Sequence, residues 1–187
     1  MARPTTTFLD EVSLAIRGCF ALLVGDRQAP SFFDFSIKGL VGSLIGVVVA
    51  IGLAGFGPML VGIDMPKGMA TQSVVINVAM FVAQAGTAFL ALRQMGRQDG
   101  FLPYLVASNW VTLATSILVV LSVLLGSLGV IVLVLVLILA IASFVNIGRY
   151  IVTLTWVQIG LLFLSQAVGV FLAAAIVAVA TGLPVTQ

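Results

Sequence analysis

The sequence predicts an all-α integral membrane protein with about five transmembrane helices, preceded by an amphipathic interfacial helix. Hydrophobic residues make up 61% of the 187 residues and charged residues only 7%. Residues 100–187 contain a single charged side chain, that of Arg149. Such a chain has too few polar groups to cover a soluble globule with a hydrated surface. Five apolar runs are long enough to cross about 30 Å of hydrocarbon at 1.5 Å per residue.

The region before the first span, residues 1–36, predicts a cytoplasmic or interfacial leader. We expect a helix over residues 5–25, because Thr7 can cap it and because Asp10 and Glu11 suit the positive end of a helix dipole. Apolar residues recur at three- and four-residue steps, which favours a helix on the membrane surface or across the mouth of the bundle. This predicted apolar face consists of Phe8, Leu9, Val12, Ala15, Ile16, Cys19, Phe20 and Leu23.

The five spans are predicted to form one bundle over residues 37–182, followed by a short outer tail over residues 183–187. Backbone groups in lipid must bond internally, so each apolar run must be helical. The predicted spans are 37–57, 73–92, 105–125, 130–148 and about 155–181. Arg149 is placed at the boundary between the last two spans, because a position in mid-membrane would cost roughly 2.5–3.5 kcal/mol or more. Tyr150 and Trp156 fit an interfacial turn there.

The basic residues predict the orientation of the bundle. With five spans and a cytoplasmic N-terminus, only Lys67 faces outward among the eight basic residues. The positive-inside rule therefore predicts a cytoplasmic N-terminus and a periplasmic C-terminus. The Ala-, Val- and Gly-rich composition indicates a bacterial inner membrane. The seven basic residues assigned to the cytoplasmic side are Arg3, Arg17, Arg27, Lys38, Arg93, Arg97 and Arg149.

Several chemistries are excluded or disfavoured by composition. The chain has no histidine, so histidine-ligated haem, histidine–zinc sites and histidine general bases are excluded. The single cysteine, Cys19, excludes an internal disulfide and is interpreted as a buried apolar residue. A secretory signal is disfavoured by Arg17 and by the acidic residues before it. Apart from Lys38 at the start of the first, no predicted span contains a charged residue, which argues against proton-coupled transport. We expect no enzymatic activity, cofactor, metal site or nucleic-acid partner.

A stripe of small residues runs along the first predicted span. Gly42, Gly46, Ala50 and Ala54 are spaced by four residues and so share one helix face. Small residues allow two helices to approach closely in lipid. One interpretation is a homodimer face. The interpretation we favour is packing against another helix of the same bundle.

Polar residues inside three predicted spans form a candidate polar track: Asn77, Gln84, Thr112, Gln158 and Ser165. Asn77 and Gln84 are seven residues apart and share a helix face, as do Gln158 and Ser165, with Gln166 beside them. Such a track could line a path for water or a small neutral solute. We favour the alternative, in which these groups form interhelical hydrogen bonds worth about 0.6 kcal/mol each.

The layout resembles that of the Yip1 family of small membrane proteins, with an amphipathic leader, five closely spaced helices and a short outer C-terminus. It is also similar to bacterial membrane proteins with Phe-Asp-x-Ser before the first span and Asn-Trp in the third. Here these motifs are Phe33-Asp34-Phe35-Ser36 and Asn109-Trp110. The phenylalanines before the first span are expected to lie at the headgroup level. The Asp-Leu-Tyr-Gly and Gly-Tyr signatures of eukaryotic members are absent.

These patterns lead to two functional hypotheses. The favoured one is a non-enzymatic membrane protein that acts through helix contacts, as a scaffold, assembly factor or accessory subunit. Its partners would be the lipid bilayer and a membrane protein or further copies of the same chain. The alternative is a small channel or facilitator that passes a neutral solute along the polar track.

Overall fold

The structure, a computed structural model, describes residues 7–181. This part of the chain forms six long helices and no strand. Five of them, α2 to α6, are long and apolar enough to cross a membrane. The predicted fold class is therefore confirmed for the described residues. The helices are α1 (Phe8–Leu23), α2 (Ile37–Leu60), α3 (Met69–Gln94), α4 (Phe101–Leu124), α5 (Gly129–Asn146) and α6 (Trp156–Thr181).

The helix boundaries differ from the predicted spans by a few residues. Helix α4 begins at Phe101 rather than near residue 105, because Pro103 lies in its first turn, where no intrahelical N–H bond is required. Helix α3 begins at Met69, directly after Gly68. The predicted tail over residues 183–187, Arg3 and the first residues of the predicted leader lie outside the described part of the chain.

Helix α4 is the central helix of the bundle. It packs against α2 and α5 as its two main neighbours, and α1 crosses its first half. Helix α3 packs mainly on α6 and secondarily on α2. Val106, Ala107 and Trp110 of α4 are 0–3% exposed and lie in the hydrophobic core. Helix α5 packs mainly on α4 and α1, and its Phe144 makes an edge-on contact with Phe163 of α6, with the ring centres 5.8 Å apart.

Helix α1 is capped as predicted. Thr7 Oγ1 accepts a hydrogen bond from the backbone N–H of Asp10 at 3.3 Å, and Asp10 Oδ2 accepts one from the backbone N–H of Thr7 at 3.0 Å. Cys19 is buried, as expected, and burial raises its pKa to about 12. A thiol with this pKa stays protonated at neutral pH, which makes it unreactive.

The predicted apolar face of α1 divides into two flanks. Ala15 and Cys19 point into the protein together with Leu22, which was not part of the predicted face, whereas Leu9, Ile16 and Phe20 are 64–77% exposed. The inner flank uses small residues because α1 lies close to its neighbours. Gly18, for example, packs directly under the ring of Phe33. Phe33 is 5% exposed, so its ring packs into the protein. The outer apolar flank is free to contact lipid.

The two ends of the bundle can be named by their charges. The arginine end is where α2, α4 and α6 begin and where α3 and α5 end. The opposite end contains the α2–α3 connection, residues 61–68, and the turn Gly126–Leu128 between α4 and α5. Of the described basic residues, only Lys67 lies at the opposite end.

Arg97 links two connections at the arginine end. It lies between α3 and α4, and its guanidinium donates to the carbonyl oxygen and hydroxyl of Thr153 at 2.9 and 2.8 Å, and also to the carbonyl of Val152. Thr153 has a φ of +57°, which is rare for a β-branched residue. These bonds offset the strain at Thr153 and fix the α5–α6 connection against the α3–α4 connection.

A second polar contact at the arginine end joins α1 to α5. Asn146 Nδ2 donates to the carbonyl oxygen of Leu22 at 2.7 Å. Just beyond it, Arg149 lies in the wide turn Ile147–Ile151, with its guanidinium carbon 4.5 Å from the ring centre of Trp156 and 5.3 Å from that of Tyr150. Arg149 lies after the end of α5 at Asn146 and before the start of α6 at Trp156, in the last turn of the apolar stretch Gly126–Ile151.

Candidate functional site

Two members of the predicted polar track line one partly open cavity on the side of the bundle. Gln84 of α3 and Thr112 of α4 line a space of about 280 Å³ between α3, α4, α5 and α6. Gln166 of α6 and Ser108 of α4 contribute further polar groups, while the remaining wall is mostly apolar. The apolar part includes Val111, Ala140, Ile141, Phe144, Ile147 and Phe163.

Three of the polar side chains of this cavity lie at a similar depth, whereas Tyr104 and Ser108 lie nearer the arginine end. Gln84 is ten residues before the end of α3 at Gln94, and Gln166 is ten residues after the start of α6 at Trp156. At 1.5 Å per residue, each is about 15 Å from the arginine end. Thr112 is at a similar depth, eleven residues into α4. This distance is half the thickness of a hydrocarbon core of about 30 Å, so these three groups lie at mid-depth along the span-length helices.

The lining side chains still have free hydrogen-bonding groups. Within residues 7–181, no hydrogen bond reaches the side-chain amide of Gln84, which is exposed. Gln166 Nε2 donates to the backbone oxygen of Gln84 at 3.1 Å, which leaves its own carbonyl oxygen available. Thr112 donates to the carbonyl of Ser108 at 2.9 Å and keeps its acceptor lone pairs. The cavity can therefore both donate and accept hydrogen bonds.

The other three members of the predicted track lie elsewhere. Asn77 Nδ2 donates to the carbonyl of Ser73 at 2.8 Å, within its own helix. Gln158 lies at the arginine end, where its Oε1 accepts from the backbone N–H of Thr155 at 2.9 Å and so caps α6. Ser165 donates to the carbonyl of Leu162 at 2.8 Å and lines a separate groove between α3 and α6. The five residues do not line one common cavity.

The small-residue stripe faces partners within the chain along most of its length. Gly42 packs against the carboxylate of Glu11, and Gly46 lies in ordinary contact with Trp110 and Leu113 of α4. Ala50 is 2% exposed. Ala54 is exposed, and its carbonyl accepts a hydrogen bond from Ser73 of α3 at 3.1 Å. Close approach of α2 to α1 and α4 is what these small residues permit.

The sequence did not single out a polar pair between α2 and α4. Asn109 Nδ2 donates to Ser43 Oγ at 3.0 Å, and both residues are at most 2% exposed. Ser43 in turn donates to the carbonyl of Leu40 at 2.9 Å. The only sequence signal was Asn109 itself, an amide inside an apolar run. Its partner follows from helix packing, which the sequence does not specify.

Glu11 is a second group whose surroundings were not predicted. One of its carboxylate oxygens is buried against α2 and has no hydrogen-bond partner among the described residues. Burial raises the pKa of Glu11, repulsion from Asp34 raises it further, and Lys38 opposes both effects. This carboxylate lies beside the first turns of α2, far from the mid-depth cavity.

The lining of the cavity is suited to an uncharged ligand. Its lining side chains carry no charge, and residues 7–181 contain no group of three His, Cys, Asp or Glu side chains that could hold a metal ion. Uncharged amides and hydroxyls can orient a neutral ligand by hydrogen bonds, while the apolar wall excludes water. Nothing in this arrangement resembles a nucleophile placed beside a general base.

The fold and the cavity define the class of this chain, which is a multi-pass helical membrane protein with five helices able to span a bilayer. Comparisons with protein-family models, with curated proteins and with solved structures found no match. The resemblance to the Yip1 family therefore stays a prediction. Function has to be argued from the geometry of the described residues.

Proposed function

We propose that this chain is a non-enzymatic membrane protein that acts through contacts with a partner, as a scaffold, assembly factor or accessory subunit. The proposal rests on the hydrogen bonds that hold the connections of the arginine end in fixed positions. Arg97 joins the α3–α4 and α5–α6 connections, and Asn146 joins α1 to α5. A surface fixed in this way loses little conformational entropy when a partner binds.

The fixed surface also exposes charged side chains of both signs, with Asp26 and Asp99 beside its basic residues. Four arginines are exposed there, namely Arg17, Arg27, Arg93 and Arg149. Exposed charges at the rim of an interface guide the choice of partner and speed association. A partner with acidic residues beside its membrane spans has the matching chemistry. Because Gly42, Gly46 and Ala50 are packed within the chain, we place the partner at the arginine end and not on the small-residue stripe.

The same charges support a location and an orientation. We propose that the arginine end faces the cytoplasm of a bacterial cell and that the protein lies in the inner membrane, because basic residues concentrate on the cytoplasmic side. Reporters fused after Gln187 and inserted in the α2–α3 connection should both be periplasmic. A cytoplasmic reporter at Gln187 would contradict the orientation.

Co-purification tests the scaffold proposal. The protein is extracted in a mild detergent, and its companions are compared with those of a variant carrying Arg27→Gln and Arg93→Gln. The variant should lose a stoichiometric partner that the parent protein retains. Lys67→Gln, which removes a basic residue at the opposite end, should retain it. A parent protein that ran as a lone monomer would contradict the proposal, as would a partner unaffected by the arginine changes.

A second candidate function is favoured by the mid-depth cavity. The chain could be a facilitator for a small neutral solute, since Gln84, Thr112 and Gln166 offer hydrogen bonds where lipid offers none. Vesicles containing the protein would be tested for glycerol permeation by light scattering. Gln84→Leu should abolish any protein-dependent permeation, whereas Asn77→Leu on the same helix should not. Equal effects of the two variants would contradict this function.

A further inference from the structure

The polar cavity adjoins a larger apolar one. The second cavity lies between α2, α4 and α5 and has a volume of about 450 Å³. Thr115 of α4 and Ala140 of α5 line both cavities. From there the apolar cavity extends towards the opposite end, where Pro58 and Leu133 line it. The two cavities are therefore neighbours along one face of α5, the first lined by polar groups at mid-depth and the second apolar towards the opposite end.

The polar part selects against a charged ligand. An ionised head group near the middle of the membrane would need a counter-charge or water, and none of the lining side chains carries a charge. It also disfavours a purely apolar ligand, because the amide of Gln84 would then stay without a hydrogen bond in a dry environment. A hydroxyl head group suits it best, since a hydroxyl both donates and accepts.

We propose that these two neighbouring cavities together bind an uncharged amphiphile of the bilayer, whose hydroxyl head hydrogen-bonds to Gln84, Thr112 and Gln166 and whose hydrocarbon chain lies beside α5 in the apolar cavity. The depth of the polar groups, about 15 Å from the arginine end at 1.5 Å per residue, makes the bilayer the source of the ligand. This inference shares its residues with the second candidate function, but binding requires no passage across the membrane.

Photolabelling in vesicles tests the proposal. The protein is reconstituted in phosphatidylcholine and exposed to hexadecanol carrying a diazirine on its chain, and the labelled positions are found by mass spectrometry. We expect labelling along the facing sides of α4 and α5, in the region of Thr115 and Leu133. Gln84→Leu and Gln166→Leu should each reduce this labelling about fivefold, because each removes one hydrogen bond to the head group.

Three comparisons make the result decisive. Asn77→Leu, which alters a polar residue of α3 outside the cavity, should leave the labelling unchanged. Photoreactive hexadecane, which has no head group, and photoreactive palmitate, which has a charged one, should label these positions more weakly than the alcohol. Equal labelling by hexadecane would overturn the proposal, and so would labelling by the alcohol that survives Gln84→Leu. Each variant is first shown to unfold at the same denaturant concentration as the parent.

Failure of the second candidate function can be distinguished from failure of this inference. Alcohol labelling that depends on Gln84, in a protein that passes no glycerol, would support the amphiphile site and exclude the facilitator. Glycerol permeation that depends on Gln84, without any labelling by the alcohol, would overturn the amphiphile site and support the facilitator.

Discussion

The two ends of the bundle are built by different means. At the arginine end, side chains bond to the backbone of other segments, as Arg97 does with Thr153 and Asn146 does with Leu22. At the opposite end, the connections contain Gly62 and Gly126 with φ values of +81° and +54°, and Gly129 is buried against the carbonyl of Ser122. Glycines with positive φ also occur at the arginine end, at Gly25 and Gly96, so the difference lies in the side-chain hydrogen bonds. Near the opposite end, the bond from Ser73 to the carbonyl of Ala54 joins residues 19 apart, whereas Arg97 and Asn146 bond to residues 56 and 124 positions away. Polar contacts between such distant segments fix a surface. The arginine end is therefore the better candidate for recognition.

Arg97→Ala should lower the free energy of unfolding more than any other change proposed here. The change removes three charge-assisted hydrogen bonds and leaves the strained Thr153 unsupported, so we expect a loss of about 3 kcal/mol in the free energy of unfolding. Titration of mixed micelles with dodecyl sulfate, followed by circular dichroism, measures it. Arg93→Ala, at the same end and exposed, should change stability by less than about 0.5 kcal/mol. Similar losses in the two variants would show that the arginine end is not held by Arg97.

The second largest loss in the free energy of unfolding is expected from a change at the opposite end. In Gly129→Ala, the added methyl group would overlap the backbone carbonyl oxygen of Ser122, and backbone cannot move aside as a side chain can. We expect a loss of about 2 kcal/mol, which is typical of overpacking. The same titration measures the loss. Ser127→Ala, an exposed position in the same turn, is the control and should be nearly neutral. A tolerated Gly129→Ala would mean that the α4–α5 turn is looser than its geometry indicates.

The buried pair between α2 and α4 should contribute less. A double-mutant cycle with Ser43→Ala and Asn109→Ala should give a coupling energy of about 0.6 kcal/mol, the usual size of a hydrogen bond between membrane helices. Both residues lie in the half of the bundle nearer the arginine end. A coupling energy of zero would indicate that tight packing of α2 on α4, and not the hydrogen bond, joins these helices.

The smallest expected change in the free energy of unfolding is that of Glu11→Gln, and it depends on pH. Because the pKa of Glu11 is raised in the folded protein, its charge opposes folding above that pKa, and the penalty disappears as the pH falls below its ordinary value of 4.5. Glu11→Gln should therefore stabilise the protein slightly at pH 8 and not at pH 4. Unfolding titrations at the two pH values measure this difference.

Asp10→Asn is the control, because its effect on stability should have the opposite pH dependence. Hydrogen bonds from Thr7 lower the pKa of Asp10, so its contribution to stability is present above its ordinary value and is lost as the pH falls through the lowered pKa. Asp10→Asn should destabilise the protein at pH 8 and have little effect at low pH. Parallel pH profiles for the two variants would contradict the assigned surroundings of Glu11.

Much of the fold could be predicted because membrane helices obey local rules. Their number, their approximate bounds, the cap at Thr7 and the boundary position of Arg149 all follow from run length, capping chemistry and the cost of burying charge. The candidate site was predicted in part. Gln84 and Thr112 were singled out and do meet, whereas Asn77 and Gln158 bond close to their own positions in sequence. Seven-residue spacing shows which residues share a helix face, but not which helix that face contacts.

The sequence by itself determined that this chain is a helical membrane protein, since apolar runs of sufficient length must hydrogen-bond internally in lipid. Only the tertiary structure decided which polar groups face one another. It placed Gln166 beside Gln84, Asn109 on Ser43 and Arg97 on Thr153. Each of these pairings depends on how helices far apart in sequence rotate and pack. In lipid that packing depends on side-chain shape. Hydrophobicity does not direct it, because an apolar side chain is as stable against lipid as against another helix.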